Sequence, residues 1–281
     1  MPWSCTIPRP STSTRRDQIV SAVPDEAADD AELPAAVLWD MDGTLVDTEP
    51  YWIAAEHELV AAHGGVWTDE HAHALVGSPL LVSGEYIRTH GGVDLTPEEI
   101  VEAMLDHVVA AVTRHVPWRP GVGELLGELG DSGIPCALVT MSYARLAAAV
   151  TAQLPPGTFA AVVTGDEVRR GKPHPEAYLT AAARLGVPPG ECLAIEDSPA
   201  GVASAEAAGT TVVAVPHVVP VPPGPGHVLV PTLAGTTVAR LYAKALTTTL
   251  PASAPALTAP LPTTLPAPSP GRRRPDHQRK T

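Results

Sequence analysis

Aromatic residues are scarce in this chain: one Phe, five Trp and five Tyr among 281 residues, 4% in all. Any core must therefore be packed by Val, Leu and Ala, which the 44% hydrophobic content supplies. Basic residues are also short, 18 against 31 acids for a formal charge of -13, and no basic stripe crosses the middle of the chain. That balance argues against nucleic acid or an anionic membrane surface as a main partner. Long apolar runs are missing too, since none approaches the roughly 18 to 20 residues that span a bilayer. The opening segment "MPWSCTIPRPSTSTRR" has prolines and hydroxyls where a secretory signal has an apolar stretch, so a cytoplasmic protein is expected. Cysteine is limited to Cys5, Cys136 and Cys192, with no CxxC pair. Two of the three fall inside apolar strand-like runs, which predicts buried free thiols rather than a disulfide or a metal site.

What is present divides the chain. Residues 1–33 are rich in Ser, Thr, Pro and acid, and residues 244–281 in Pro, Ala and Thr with the basic end "GRRRPDHQRK". Neither composition buries enough surface to offset the entropy of ordering, so both are expected to be disordered tails. Between them, the apolar runs "AAVLWD" (35–40), "PCALVT" (135–140), "FAAVVTG" (159–165), "CLAIED" (192–197) and "TVVAVP" (211–216) alternate with helical patterns. One such pattern is Val122, Leu125, Leu126 and Leu129; another is Tyr178, Ala182 and Leu185 before Gly186. Strands apolar throughout and alternating with helices predict a doubly wound α/β fold, a parallel sheet covered on both faces. The core is assigned to 34–50 and 117–243. Residues 51–116 break the alternation: Thr96 and Glu99 make a capping box, Pro97 suits the first helical position, and Ile100, Met104, Val108 and Val112 repeat every four residues. This stretch is expected to be a small helical domain inserted between the first core strand and the rest.

In an open parallel sheet ligands gather at the carboxyl ends of the strands. There the sequence places Asp40 and Asp42 after the first run, Thr140 after the second, and Glu196 with Asp197 after "CLAI", while Lys172 lies in the loop "RRGKPHPE". A lone Asp-x-Asp is ordinarily a turn or a helix cap, and a lone Lys is ordinarily solvated. Four acids converging on one point, however, require a cation, and hard oxygen donors without Cys or clustered His favour Mg²⁺. Lys172 then offsets the acids and binds a phosphoryl oxygen, and Thr140 adds a hydroxyl donor. Asp40, at the strand end, suits a nucleophile, and Asp42, beyond the turn that Gly43 permits, suits a general acid.

The segments "DMDGTLVD", "LVT" ending at Thr140, "GKPHPEAY" and "IEDSPAG" resemble, in this order, the four motifs of the haloacid dehalogenase (HAD) superfamily, above all its small-molecule phosphatases with a helical cap. The resemblance covers roughly residues 35–240 and implies a HAD-like, Rossmannoid core. It implies that Asp40 forms an aspartyl-phosphate and that Asp42 protonates the leaving alkoxide and then activates water. It further implies that Mg²⁺ is held by Asp40, the carbonyl of Asp42, Asp197 and Glu196, that Thr140 and Lys172 hold phosphoryl oxygens, that Gly43 and Thr44 shape the loop, and that Asp47 organises the cap hinge.

Departures discriminate among the superfamily's chemistries. Halide-displacing members lack the second aspartate, which is present here as Asp42. Phosphonate-cleaving members need a cap lysine, and residues 51–116 contain none. β-Phosphoglucomutase-like members carry a His where this chain has Trp52. The expectation is therefore a phosphatase of a small phosphorylated metabolite, a sugar or polyol phosphate first, with a mutase or phosphotransferase and a non-catalytic binding protein as rivals. Within the cap, Gly77, Ser78 and Arg88 are the candidate substrate contacts, against a surface pairing of Arg88 with Glu85 on one helix turn.

Overall fold

The computed structural model describes residues 32–249. The expected tails, with Cys5 and the basic C-terminal end, lie outside the described residues apart from 32–33 and 244–249. Among the described residues, six strands form one parallel sheet: β1 (Ala36–Trp39), β2 (Cys136–Val139), β3 (Ala161–Val163), β4 (Cys192–Glu196), β5 (Thr211–Ala214) and β6 (His227–Leu229), in the order β3-β2-β1-β4-β5-β6. Chain order reverses beside β1, which is where such sheets open a crevice at their carboxyl ends.

Side chains alternate across the sheet with a period of two, and the alternation builds two cores. Val37 and Trp39 of β1 join Leu138, Leu193 and Ile195 on one face, where Leu241 and Tyr242 of α9 (Val238–Thr249) and Leu125 and Leu129 of α5 (Val122–Ser132) cover them. Ala36 and Leu38 point the other way with Ala137, Val139 and Ala194, against α7 (Glu176–Leu185) and α8 (Pro199–Ala207). Alanine prevails in this second layer, so α7 and α8 settle close to the sheet. Cys136 and Cys192 are buried free thiols, as expected.

Four helices, α1 (Glu49–Ala62), α2 (Asp69–Leu75), α3 (Leu80–Gly91) and α4 (Pro97–Arg114), stand between β1 and α5. Thr96 accepts from the Glu99 amide while Glu99 accepts from the Thr96 amide, the reciprocal capping the sequence predicts. Ile100, Met104, Val108 and Val112 form the buried stripe of α4. Where the chain leaves and re-enters the sheet region, the two passes are stitched together: Asp47 N–H donates to Pro117 O at 2.9 Å and Arg119 N–H to Leu45 O at 3.0 Å. Arg145, in the first turn of α6 (Ala144–Thr151), reaches across to Glu102 at 2.6 Å and to Asp106, one turn further along α4.

Three elements differ from the sequence reading. The third run forms strand only over Ala161–Val163, β6 lies unanticipated in a Pro/Gly-rich stretch, and α9 continues to Thr249, past the boundary drawn at 243. None of the helices among the described residues is long and apolar enough to cross a membrane.

Candidate active site

Parallel register brings the strand ends level. Trp39 is paired with Leu138 on one side and Ile195 on the other, so Asp40, Thr140 and Glu196 end neighbouring strands. The backbone then continues the ladder by one step, Asp40 N–H to Ile195 O at 3.0 Å and Thr140 N–H to Val163 O at 2.9 Å, which fixes where each side chain emerges.

Lys172 ties the strand ends together. Its Nζ donates to Asp40 Oδ1 at 2.7 Å, Glu196 Oε1 at 2.6 Å and Val139 O at 2.9 Å, which engages all three ammonium protons. Burial opposes the charge, but Asp40 and Glu196 outweigh it and hold the ammonium above the ordinary lysine range. Glu196 is wholly buried and saturated. Its Oε1 also accepts from the Tyr178 hydroxyl at 2.7 Å, and its Oε2 from the Asp197 amide at 3.1 Å and from Ser198. A Cβ on Gly201 would lie 1.9 Å from that carboxylate, so only glycine lets α8 pack here.

Asp40 is different. Its Oδ2 is buried with no hydrogen-bond partner, and burial with Glu196 nearby, partly offset by Lys172, pushes its carboxyl up to about 7. Asp197, buried and close to Asp40 and Glu196, is pushed up to about 9; its Oδ1 accepts only a long bond, 3.3 Å, from the Thr44 hydroxyl. Gly43 has φ of +92°, and a Cβ there would stand 2.0 Å from Asp197 Oδ2. Both left-handed backbone and close approach therefore demand glycine.

Asp40, Glu196 and Asp197 each offer an oxygen within 4.8 Å of the others. An orphaned buried oxygen, two carboxyls forced towards neutrality and an all-oxygen donor set fit a hard divalent cation such as Mg²⁺. Asp40 and Asp197 have the open oxygens, while Glu196 stands behind them, bonded to Lys172.

Asp42 is held by three hydroxyls. Thr48 Oγ1 donates to Oδ1 at 2.6 Å, and Thr140 Oγ1 and Ser142 Oγ donate to Oδ2 at 3.0 and 2.8 Å. Asp47 lies at the stitched crossing, with His217 Nε2 3.0 Å from its Oδ1, an ion-pair contact outside hydrogen-bond alignment. Next to Thr48, half-buried Glu49 opens α1; burial, Asp42 and Asp47 push it up to about 7. Glu56, also pushed by burial to about 7, accepts from Trp67 Nε1 at 3.1 Å inside the helical insert.

The structure thus gathers Asp40, Asp42, Gly43, Thr44, Thr140, Lys172, Glu196 and Asp197. The insert residues behave otherwise: Gly77 is an exposed turn glycine, Ser78 donates its amide to Leu75 O, and Arg88 bonds Glu85 with two nitrogens at 2.7 and 2.9 Å. Four contributors escaped the sequence reading. Thr48, whose hydroxyl bonds Asp42, reads only as the residue before α1. Ser142 stands two residues beyond Thr140 in the same loop, and that spacing was the available signal. Tyr178 reads as helical core because its ring is core, and only the fold shows its hydroxyl on Glu196. His217 carries no local signal.

Residues 34–209 match the sequence model of the haloacid dehalogenase-like hydrolases. Hexitol phosphatase A of Escherichia coli is 36% identical over 63% of this chain and 81% of its own length. Fructose-1-phosphate phosphatase YqaB of Escherichia coli is 33% identical over 62% of this chain and 93% of its own. Among solved structures, CbbY from Rhodobacter sphaeroides in complex with xylulose 1,5-bisphosphate superposes with a TM-score of 0.68 at 27% identity, over 74% of this chain and 99% of that one. With the strand-end acids and Lys172 falling within the matched span, the chain belongs to the haloacid dehalogenase-like hydrolase family.

Proposed function

We propose that this enzyme is a cytoplasmic, Mg²⁺-dependent phosphatase that hydrolyses the phosphate monoester of a small sugar or polyol, with helices α1–α4 acting as its cap. The observation that carries the reading is the unpartnered, buried Oδ2 of Asp40 beside an ammonium that is itself fully engaged. The relatives named for hexitol and fructose-1-phosphate hydrolysis support the substrate class.

In this reading Asp40 Oδ2 attacks phosphorus, forming the aspartyl–phosphate bond as the ester P–O bond breaks. Asp42 gives its proton to the departing alkoxide, then takes one from the water that cleaves the acyl phosphate, so both residues return to their starting states. Asp40 and Asp197, with the Asp42 carbonyl, would hold Mg²⁺, which when bound supplies positive charge against the phosphoryl oxygens. Lys172 adds a second positive charge next to the nucleophile, where charge spreads over a loose transition state. Thr140 and Ser142 orient Asp42, as does Thr48. Because Thr48 immediately precedes α1, movement of the cap and the aim of the Asp42 carboxyl are mechanically linked.

The test is phosphate release from sugar, polyol and nucleoside monophosphates with Mg²⁺ or EDTA, for the wild type and Asp40→Asn. Metal-dependent release that Asp40→Asn abolishes supports the proposal. Release indifferent to that substitution, or an isomerised sugar phosphate with little free phosphate, refutes hydrolysis at this site.

A further inference from the structure

The loop between β5 and β6 is chemically plain. Residues 215–226, "VPHVVPVPPGPG", contain five prolines and one titratable side chain, His217. Proline fixes its own φ and restricts the residue before it, so the loop is stiff. Both of its ends are fastened. Val215 N–H extends the strand ladder to Glu196 O at 2.7 Å, and at the far end His227 places Nδ1 2.7 Å from Glu206 Oε1 and Nε2 3.1 Å from Pro222 O. Between them Val221 is buried in the core layer that α7 and α8 cover. His217 is therefore carried on a rigid arm that starts beside the strand-end acids.

That arm brings His217 to the hinge. Its Nε2 lies 3.0 Å from Asp47 Oδ1, and neither of these buried atoms has a hydrogen-bond partner. Two orphaned polar atoms facing each other at this distance need only a turn about the terminal torsions, which are broad for His and Asp, to form a charge-assisted hydrogen bond. Residue 47 is also gripped from another side, where its N–H donates to Pro117 O at 2.9 Å. The next residue is Thr48, whose hydroxyl bonds Asp42 Oδ1 at 2.6 Å and caps no amide of α1. Asp42 and Asp47 both repel Glu49 in this short stretch; His73 faces Glu49, and His217 faces Asp47.

We propose that His217 is a positioning residue for the general acid: paired with Asp47, it fixes the chain at residues 47–48, and Thr48 in turn aims the Asp42 carboxyl for proton delivery to the leaving oxygen. This role rests on the phosphatase reading above. His217 acts through Asp47 and Thr48 rather than on the substrate. Without the pair, Asp47 meets its acidic neighbours unopposed, and the Thr48 hydroxyl shifts with the start of α1. Thr140 and Ser142 still bond the other oxygen of Asp42, so its aim is degraded rather than lost. A general acid contributes about 10²- to 10⁴-fold to the rate, and about tenfold of that depends on His217.

The experiment compares kcat/KM of the full chain, with Mg²⁺, for the best-cleaved sugar or polyol phosphate of the panel above and for p-nitrophenyl phosphate. An alkoxide needs a proton to leave and p-nitrophenolate does not, and kcat/KM excludes the later hydrolysis of the acyl phosphate that both substrates share. In His217→Ala the alkyl-to-aryl ratio should fall about tenfold, and His217→Gln, which keeps a nitrogen donor, should restore it to within about threefold of the wild type. Asp47→Ala, which removes the pair from its other side, should show the same fall, and the double variant should fall no further than the worse single one. If His217→Ala does not fold, Asp47→Ala decides. A ratio unchanged in His217→Ala or in Asp47→Ala overturns the assignment. So does an equal loss on both substrates with a lowered Tm, which marks a merely structural histidine, and so do additive losses in the double variant. In each of these cases Asp40-dependent cleavage keeps the phosphatase reading. Absence of Asp40-dependent cleavage of every probe removes both proposals together.

Discussion

Replacing Lys172 with Met tests the electrostatic account of the site in isolation from catalysis. The ammonium is 5% exposed and lies between Asp40, 9% exposed, and Glu196, fully buried. Methionine fills similar volume but leaves two carboxyls and the Val139 carbonyl without their shared donor. Breaking a buried ion pair by removing one partner costs about 3–5 kcal/mol. Glu196 keeps the Tyr178 hydroxyl and the Asp197 and Ser198 amides, so Asp40 is the group that must adapt, by retaining a proton. In the wild type Asp40 already titrates at about 7, and without Lys172 its carboxyl moves higher. Above pH 7 the variant therefore binds one more proton than the wild type when folded, and its deficit grows by about 1.4 kcal/mol per pH unit. Urea unfolding in EDTA, followed by circular dichroism at pH 6, 7, 8 and 9, reads this directly. Added Mg²⁺ should recover part of the loss, since a dication held by Asp40 and Asp197 replaces the missing charge. A deficit below about 1 kcal/mol, or one constant from pH 6 to 9, would refute the reasoning.

Three further outcomes are expected. In EDTA the wild type should lose stability as pH rises from about 4 towards 9. Asp40, pushed up to about 7, and Asp197, to about 9, hold protons in the fold that the unfolded chain has already released; a Tm that climbs from pH 6 to 8 contradicts this. Gly43→Ala places a Cβ 2.0 Å from Asp197 Oδ2 at a φ of +92° and should weaken Mg²⁺ activation about a hundredfold, measured by metal titration of phosphate release; an unchanged titration would mean that Asp197 holds no metal. Arg145→Gln removes the half-exposed link from α6 to Glu102 and Asp106, so KM should rise about threefold at low salt and the wild-type salt dependence of KM should flatten, whereas equal salt slopes would deny the link any part in holding the cap.

Local order carries much of this protein. The strand runs around Trp39, Val139 and Ile195, the capping box at Thr96 and the stripe from Ile100 to Val112 follow from residue periodicity and capping chemistry, which neighbouring residues decide among themselves. So do the identities of Asp40, Asp42, Thr140, Lys172, Glu196 and Asp197, because the end of an apolar run marks the end of a strand and parallel strands end on one side. Tertiary structure decided the partnerships. Whether Glu196 is an open metal ligand or a saturated anchor depends on Lys172, Tyr178 and Gly201, brought to it from α7, α8 and the loop before α7. That Arg88 answers to Glu85, that Ser142 and Thr48 aim Asp42, and that His217 meets Asp47 are likewise products of packing. The edge strand β6 exists because β5 offers it hydrogen bonds, and α9 reaches Thr249 because Leu241, Tyr242 and Ala245 find a sheet face to cover. A side chain's type is written locally, but its charge state and its partner depend on what the rest of the chain buries around it.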